Sequence, residues 1–194
     1  MTRPDLHITA RRRLMTGWNS VDELTVTVAG ENGAAVELAR EVIDHGHAVA
    51  VLPVDPVRRM ALLVRQWRPP LLETDDDPFL LEACAGLIDD GETPERAMHR
   101  EAEEELGIRL ENLEACGRVI TSPGCLTETV GLYLATYHDG TRIFDGGGLA
   151  HEGEDIEIVE MPLDDLFAFA RSGVLLDAKT LILVQMLMMR NAQG

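Results

Sequence analysis

Residues Gly86 to Ile108 read GLIDDGETPERAMHREAEEELGI, and their punctuation is that of one short capped helix. Thr93 is a suitable N-cap, Pro94 fits the first helical position where its missing N–H costs nothing, and Gly107 stands where a left-handed C-cap is wanted. The helix expected from these signals runs from Pro94 to about Leu106. At about 100° per residue, Glu101 and Glu105 lie about 40° apart on one face with Glu104 beside them, which leaves Ala97 and Leu106 for a core. Like charges at such spacings destabilise a bare helix by a few tenths of a kcal/mol per pair, so the cluster makes physical sense around a hard cation. Mg²⁺ is the natural candidate and Mn²⁺ the second, because both take carboxylate, carbonyl, water and phosphate oxygens. A merely solvated acidic face would account for EAEEEL alone, but not for Gly86 and Glu92 at their offsets or for Arg100 set directly before the acids.

The rest of the composition limits what such a site can serve. The chain has 194 residues and 45% apolar content, enough for one sizeable core with a small extension. A formal charge of −17 argues against a nucleic-acid partner, since the only basic cluster is Arg11 to Arg13, which fits a solvated or strand-edge cluster better than a binding arm. The same acidity opposes capture of an anionic substrate, so a metal ion and a few placed arginines would have to reverse the local field. Cys84, Cys116 and Cys125 are odd in number and lack metal-ligand spacing, which fits free thiols in a reducing cytosol. No apolar run is long enough to span a membrane, and MTRPDLHITARRRLM lacks the apolar core of a signal peptide. The expectation is a soluble cytoplasmic protein with no membrane partner.

Periodicity gives a mixed α/β chain. Strands are expected over 24–30, 48–56, 60–68 and 156–162, with two more on either side of a turn at Ser122 to Thr127. Residues 34–46 fit a strand or a short helix. An acidic loop is expected over 71–78 and a Gly-rich loop over 139–153, and helices over 163–171 and 178–191, the last capped by Asp177. The Met-rich stripe LILVQMLMM in that last helix fits core or subunit interface better than a cofactor site.

Gly86, Glu92, Arg100, Glu101, Glu104, Glu105 and Gly107, with apolar Ala102 and Ile108, form the pattern G-x5-E-x7-R-E-U-x-E-E-x-G-U and resemble the Nudix box without a gap. Seven such identities would coincide by chance on the order of 10⁻⁷ to 10⁻⁸ per starting position. The resemblance covers most of the chain from about Glu41 and is nearest to the nucleoside-diphosphate-sugar pyrophosphatases of the Nudix superfamily, which act on ADP-ribose or GDP-mannose. Arg65-Gln66-Trp67-Arg68 resembles a basic strand end that meets substrate, Glu82-Ala83-Cys84-Ala85-Gly86 the strand entering the box, and Ser122-Pro123-Gly124 a turn that marks this subgroup. Pro123 lies fifteen residues after Ile108, the offset of ADP-ribose-type members. Gly147 to Ala150 followed by Glu152-Gly153-Glu154-Asp155 resembles the mobile acidic loop that supplies a base, and Asp177 to Thr180 the start of the last helix.

The resemblance implies an α/β (α+β) fold: a Nudix α/β/α sandwich with a mixed central sheet, in residues 45–194. It also implies an N-terminal antiparallel sheet in residues 1–44 that packs or swaps across a homodimer. The reaction implied is Mg²⁺-dependent hydrolysis of a nucleotide sugar to a nucleoside monophosphate and a sugar 1-phosphate. The metal ligands implied are Glu101, Glu104, Glu105, Glu154 and the Ala85 carbonyl. Arg100 would ion-pair within the cluster, Glu104 would ligate or orient a ligand, and the base would be Glu152 or Glu154. Substrate contacts would come from Arg65, Arg68, Trp67, Glu82 and Pro123. Cys84 in EACAG and the run into DIEIVEMP lean toward GDP-mannose, with ADP-ribose close behind. A catalytically silent Nudix-fold nucleotide-sugar sensor is the alternative, against which the intact glutamate trio speaks.

Overall fold

The computed structural model describes residues 6–29, 34–149 and 153–192. Contacts divide the chain into two compact units, Met1–His47 with Ile120–Thr129, and Ala48–Val119 with Val130–Gly194.

In the first unit, β1 (Leu6–Thr16), β2 (Ser20–Ala29) and β3 (Ala35–Asp44) form an antiparallel meander in the order β1-β2-β3. The ambiguous segment after residue 34 is a strand because its whole length pairs with β2, from Ala29↔Ala35 to Ser20↔Asp44. Strand alternation splits the basic triplet. Arg11 and Arg13 both bind the buried Asp22, whose carboxyl the Arg13 hydrogen bond pulls below its usual range, while Arg12 pairs with Glu23 at 2.9 Å. The triplet is a strand cluster engaged within its own sheet. The end of β3 also braces the turn at Ser122 to Thr127: Ile43 N donates to the Cys125 carbonyl at 2.8 Å, and Thr127 N donates to the Ile43 carbonyl at 3.1 Å.

The second unit contains β4 (Ala48–Asp55), β5 (Met60–Trp67), β6 (Phe79–Glu82), β7 (Cys84–Leu87), α1 (Pro94–Leu106), β8 (Glu111–Val119), β9 (Val130–Thr136), β10 (Glu157–Pro162), α2 (Leu163–Ser172) and α3 (Ala178–Asn191). Its described strands make one mixed sheet, order β10-β5-β4-β9-β8, with β6 added to β5 and β7 to β4. β4 and β9 run parallel, and the other pairs are antiparallel. Strand period explains the two-sided core. Ala48, Ala50, Leu52 and Val54 of β4 face one apolar layer, and Val49 and Val51 face the other. The first layer is closed by Leu163, Leu166 and Phe167 of α2 and by Leu183 and Val184 of α3; the second by Ala97, Met98, Ala102 and Leu106 of α1. The result is the expected α/β/α sandwich.

Where local pattern met long-range pairing, the elements differ from expectation. FLLEACAGL is two short strands, since Ala83 leaves the ladder and donates its N–H to Thr180 Oγ1 at 2.6 Å. The acidic stretch after Pro70 begins inside a 3₁₀ turn, Pro69–Glu73. In α3, Leu183 and Val184 are buried and Met188 packs against the core, while Met189 is exposed. Among the described residues no helix is long and apolar enough to cross a membrane.

Candidate active site

Helix α1 is fixed at both ends by the signals in its sequence. Thr93 Oγ1 accepts from Arg96 N at 3.3 Å, Pro94 begins the helix, and Gly107 takes the left-handed conformation with φ 65°. A second reason for glycine at this position is steric. A Cβ on Gly107 would collide with the Phe144 carbonyl, because the following loop crosses the helix end there.

The buried face of α1 carries Glu101 and Glu105 between its apolar residues, which brings both carboxyls against β7. Glu105 is 2% exposed, and its Oε2 accepts the Ala85 N–H at 3.1 Å. Burial is the main cause that pushes its carboxyl up to about 8, with further contributions from the charges of Glu101 and Glu154. Burial also pushes Glu101 up to about 7, partly offset by Arg100. The Glu101 carboxyl lies so close to the chain at Gly86 that a Cβ there would overlap it. The first glycine of the motif is therefore required by Glu101, across the space between strand and helix.

Arg100 binds the surrounding acids together. Its guanidinium donates to Glu101 at 2.7 Å, Glu104 at 3.1 Å, both Glu92 oxygens at 3.0 and 3.3 Å, and the Leu87 carbonyl at 2.9 Å. The Glu92 hydrogen bonds are the largest of several effects that hold it firmly protonated. Loop 87–92 is thus tied to the helix, and the Glu101 and Glu104 rotamers are set.

Glu154 enters from the loop before β10. Its Oε2 accepts the Leu149 N–H at 2.9 Å, and its charge raises both Glu101 and Glu105. Glu152, the other carboxylate expected here, lies outside the described residues.

The donor set fits a divalent cation. Glu101, Glu104, Glu105 and Glu154 offer hard oxygens, and the two buried ones resist ionisation alone, which a cation would relieve. Among the described residues no three His, Cys, Asp or Glu side chains already converge as a closed ligand cage. Arg100 draws Glu101 and Glu104 to itself instead.

Of the expected substrate-contacting residues, Arg65, Trp67, Arg68 and Glu82 fall at the paired ends of β5 and β6. Arg65 is exposed and 3.5 Å from Glu157, and Trp67 lies opposite Phe79. Arg68 Nε donates to the buried Glu82 at 2.7 Å. Sequence reasoning missed the partner on the other side: Lys179 Nζ donates to Glu82 at 3.2 Å and to Asp177 at 2.7 Å. Desolvation opposes the charge on Lys179, but Asp177 and Glu82 outweigh it and raise the amine. The signal was the basic residue two positions after the N-cap Asp177. Pro123 belongs to the first unit, in the turn braced by Ile43.

A cavity of about 290 Å³ lies elsewhere in the second unit, lined by Val54, Leu134, Leu163, Leu187 and the Glu114–Arg190 pair, and contains none of these acids. It does not coincide with the glutamate cluster.

The family model described as NUDIX domain matches residues 44–182. The chain is 40% identical over 168 residues to a GDP-mannose pyrophosphatase of Cronobacter sakazakii, covering 86% of each chain. It is 34% identical over 182 residues to a GDP-mannose pyrophosphatase of Salmonella arizonae, covering 93% of this chain and 94% of that one. A solved structure described as an ADP compounds hydrolase superposes with a TM-score of 0.70 at 20% identity, covering 100% of this chain and 97% of that chain.

Proposed function

From the premise that this chain belongs to the Nudix family, we propose that it hydrolyses the pyrophosphate bond of a nucleoside diphosphate sugar. GDP-mannose is the favoured substrate, supported by the names of the relatives, and ADP-ribose is the second. One observation carries the proposal: three carboxylates on one helix, two of them buried, with Gly86 opposite leaving room for Glu101.

The proposed reaction is attack of water on one phosphorus. A new P–O bond forms, the bond to the bridging oxygen breaks, and the products are a nucleoside monophosphate and a sugar 1-phosphate. Mg²⁺, or Mn²⁺ in its place, held by Glu101, Glu104, Glu105, Glu154 and the Ala85 carbonyl, would supply positive charge at phosphate oxygens and acidify a bound water. Arg100 holds the acid rotamers, with Glu92 as its anchor. The water's proton passes to a carboxylate of the acidic loop, Glu152 or Glu154. Arg65, Arg68, Trp67, Glu82 and Pro123 are proposed to contact the substrate. The functional form is proposed to be a homodimer assembled through the N-terminal sheet.

The test is release of monophosphate from GDP-mannose and from ADP-ribose by purified protein, with Mg²⁺ and with chelator. Turnover that requires the cation supports the proposal. Binding of both compounds without turnover of either identifies a sensor instead.

A further inference from the structure

Gly146, Gly147 and Gly148 fall in the Gly-rich loop expected over 139–153, and the structure uses them for contact. The last carbonyls of any helix lack partners within it. In α1 those of Glu104 and Glu105 are met by this loop: Gly147 N donates to the Glu105 carbonyl at 2.8 Å and Gly148 N to the Glu104 carbonyl at 3.1 Å. Each flanking glycine also sits where a side chain has no room. A Cβ on Gly146 would lie 2.7 Å from the Glu105 carbonyl oxygen, and a Cβ on Gly148 would lie 2.6 Å from Glu154 Oε2 and 2.9 Å from Ile156. The next residue, Leu149, donates its N–H to that same Glu154 oxygen, and Ile156 N closes the loop onto the Gly147 carbonyl at 3.2 Å.

We infer that Gly146, Gly147 and Gly148 are positioning residues: Gly147 and Gly148 cap the last carbonyls of α1, Gly146 lets the loop lie against the helix end, and together they fix the seat of Glu154 relative to Glu101 and Glu105. The inference rests on the proposed metal-dependent hydrolysis. Its consequence is that helix and loop present their acids as one body, so the spacing between the two halves of the site is set by backbone hydrogen bonds and by the absence of side chains at Gly146 and Gly148.

The test uses full-length protein and two readouts, Mn²⁺ affinity by calorimetry and kcat on GDP-mannose, with Tm measured alongside. Gly173 has φ 78°, close to the 81° of Gly148, but nothing lies near its Cβ position, so Gly173→Ala measures backbone strain alone. Gly148→Ala is expected to weaken Mn²⁺ and lower kcat at least tenfold, with a Tm loss similar to that of Gly173→Ala. In a Glu154→Ala background it is expected to cost almost nothing further in Mn²⁺ affinity or kcat, because the displaced carboxylate is gone. Gly146→Ala, which strikes the helix end instead, should show the same non-additivity and serves if Gly148→Ala folds poorly. Additive losses, or a Gly148→Ala variant that binds Mn²⁺ as tightly as Gly173→Ala, would overturn the inference. Wild-type protein that binds Mn²⁺ but cleaves neither nucleotide sugar would sink the hydrolase proposal, while the calorimetric cycle would still decide this one.

Discussion

Glu105 carries a carboxyl into the interior beside Cys84 and Ala85, where an unpaired charge is costly. Its folded carboxyl titrates at about 8, against 4.5 as a free side chain, and that of Glu101 at about 7. A carboxyl raised on folding contributes stability that is fully present below the unfolded value and is lost as pH rises to the folded one. Metal-free protein should therefore lose stability between about pH 4.5 and 8. Glu105→Gln lacks its share of that loss, so in chelator the variant's Tm should gain on wild type as pH is raised, and Mg²⁺ should reverse the order. Thermal melts across pH, with and without Mg²⁺, check both signs; a Tm difference that does not change with pH would sink the burial account. With saturating Mg²⁺, Glu105→Gln should lower kcat by at least a hundredfold, since it removes a charge of the proposed metal site and no core volume. Gly86→Ala attacks the same cluster from the opposite wall. Its Cβ must displace the Glu101 carboxyl, and the expected outcome is a fold destabilised by about 1–3 kcal/mol, as for other overpacked sites, with kcat reduced tenfold or more. Denaturant unfolding and steady-state kinetics read the two effects separately.

Helix α1 shows why some elements are legible in the sequence and others are not. Its start, stop and buried stripe are set by residues within one stretch, and the observed Pro94–Leu106 is what Thr93, Pro94 and Gly107 announce. Thr93→Ala removes the side-chain acceptor for Arg96 N and should cost about 1 kcal/mol of stability by urea unfolding, while kcat changes little. A loss of kcat as deep as that expected for Glu105→Gln would show that the cap also sets the site. By contrast, β3 left helix and strand open because its identity comes from β2, not from its own period. The break at Ala83 depends on Thr180, and the seating of Glu82 depends on Lys179, both 97 residues away in sequence. Pairwise partners at that separation leave no periodic trace. The clustering of Glu101, Glu104 and Glu105 was readable because the helix brings them together locally. The glycine run of the acidic loop reads in the sequence only as part of a Gly-rich loop, since its contacts with the end of α1 are made through backbone atoms that no residue type advertises.

At the scale of the whole molecule, the first unit is one sheet thick and leaves Leu6, Ile8, Met15 and Trp18 exposed, Trp18 at 85%. A three-stranded sheet with this much bare apolar surface calls for a covering partner, and a second copy is the proposed one. Sedimentation should give twice the 21.4 kDa chain mass, and Ile8→Asp should shift the population toward single chains. A wild-type protein that sediments as one chain at working concentration would refute the homodimer. The brace between β3 and the turn at Ser122 to Thr127 bears on how such a chain can be rearranged. Because Ile43 supports Cys125 and Thr127, the first unit is built from two stretches of chain far apart in sequence and not from the leading strands alone. A chain cut before Ala48 would leave the link from β8 to β9 without its support, so gain or loss of the leading strands by gene fusion would demand a compensating change more than seventy residues downstream.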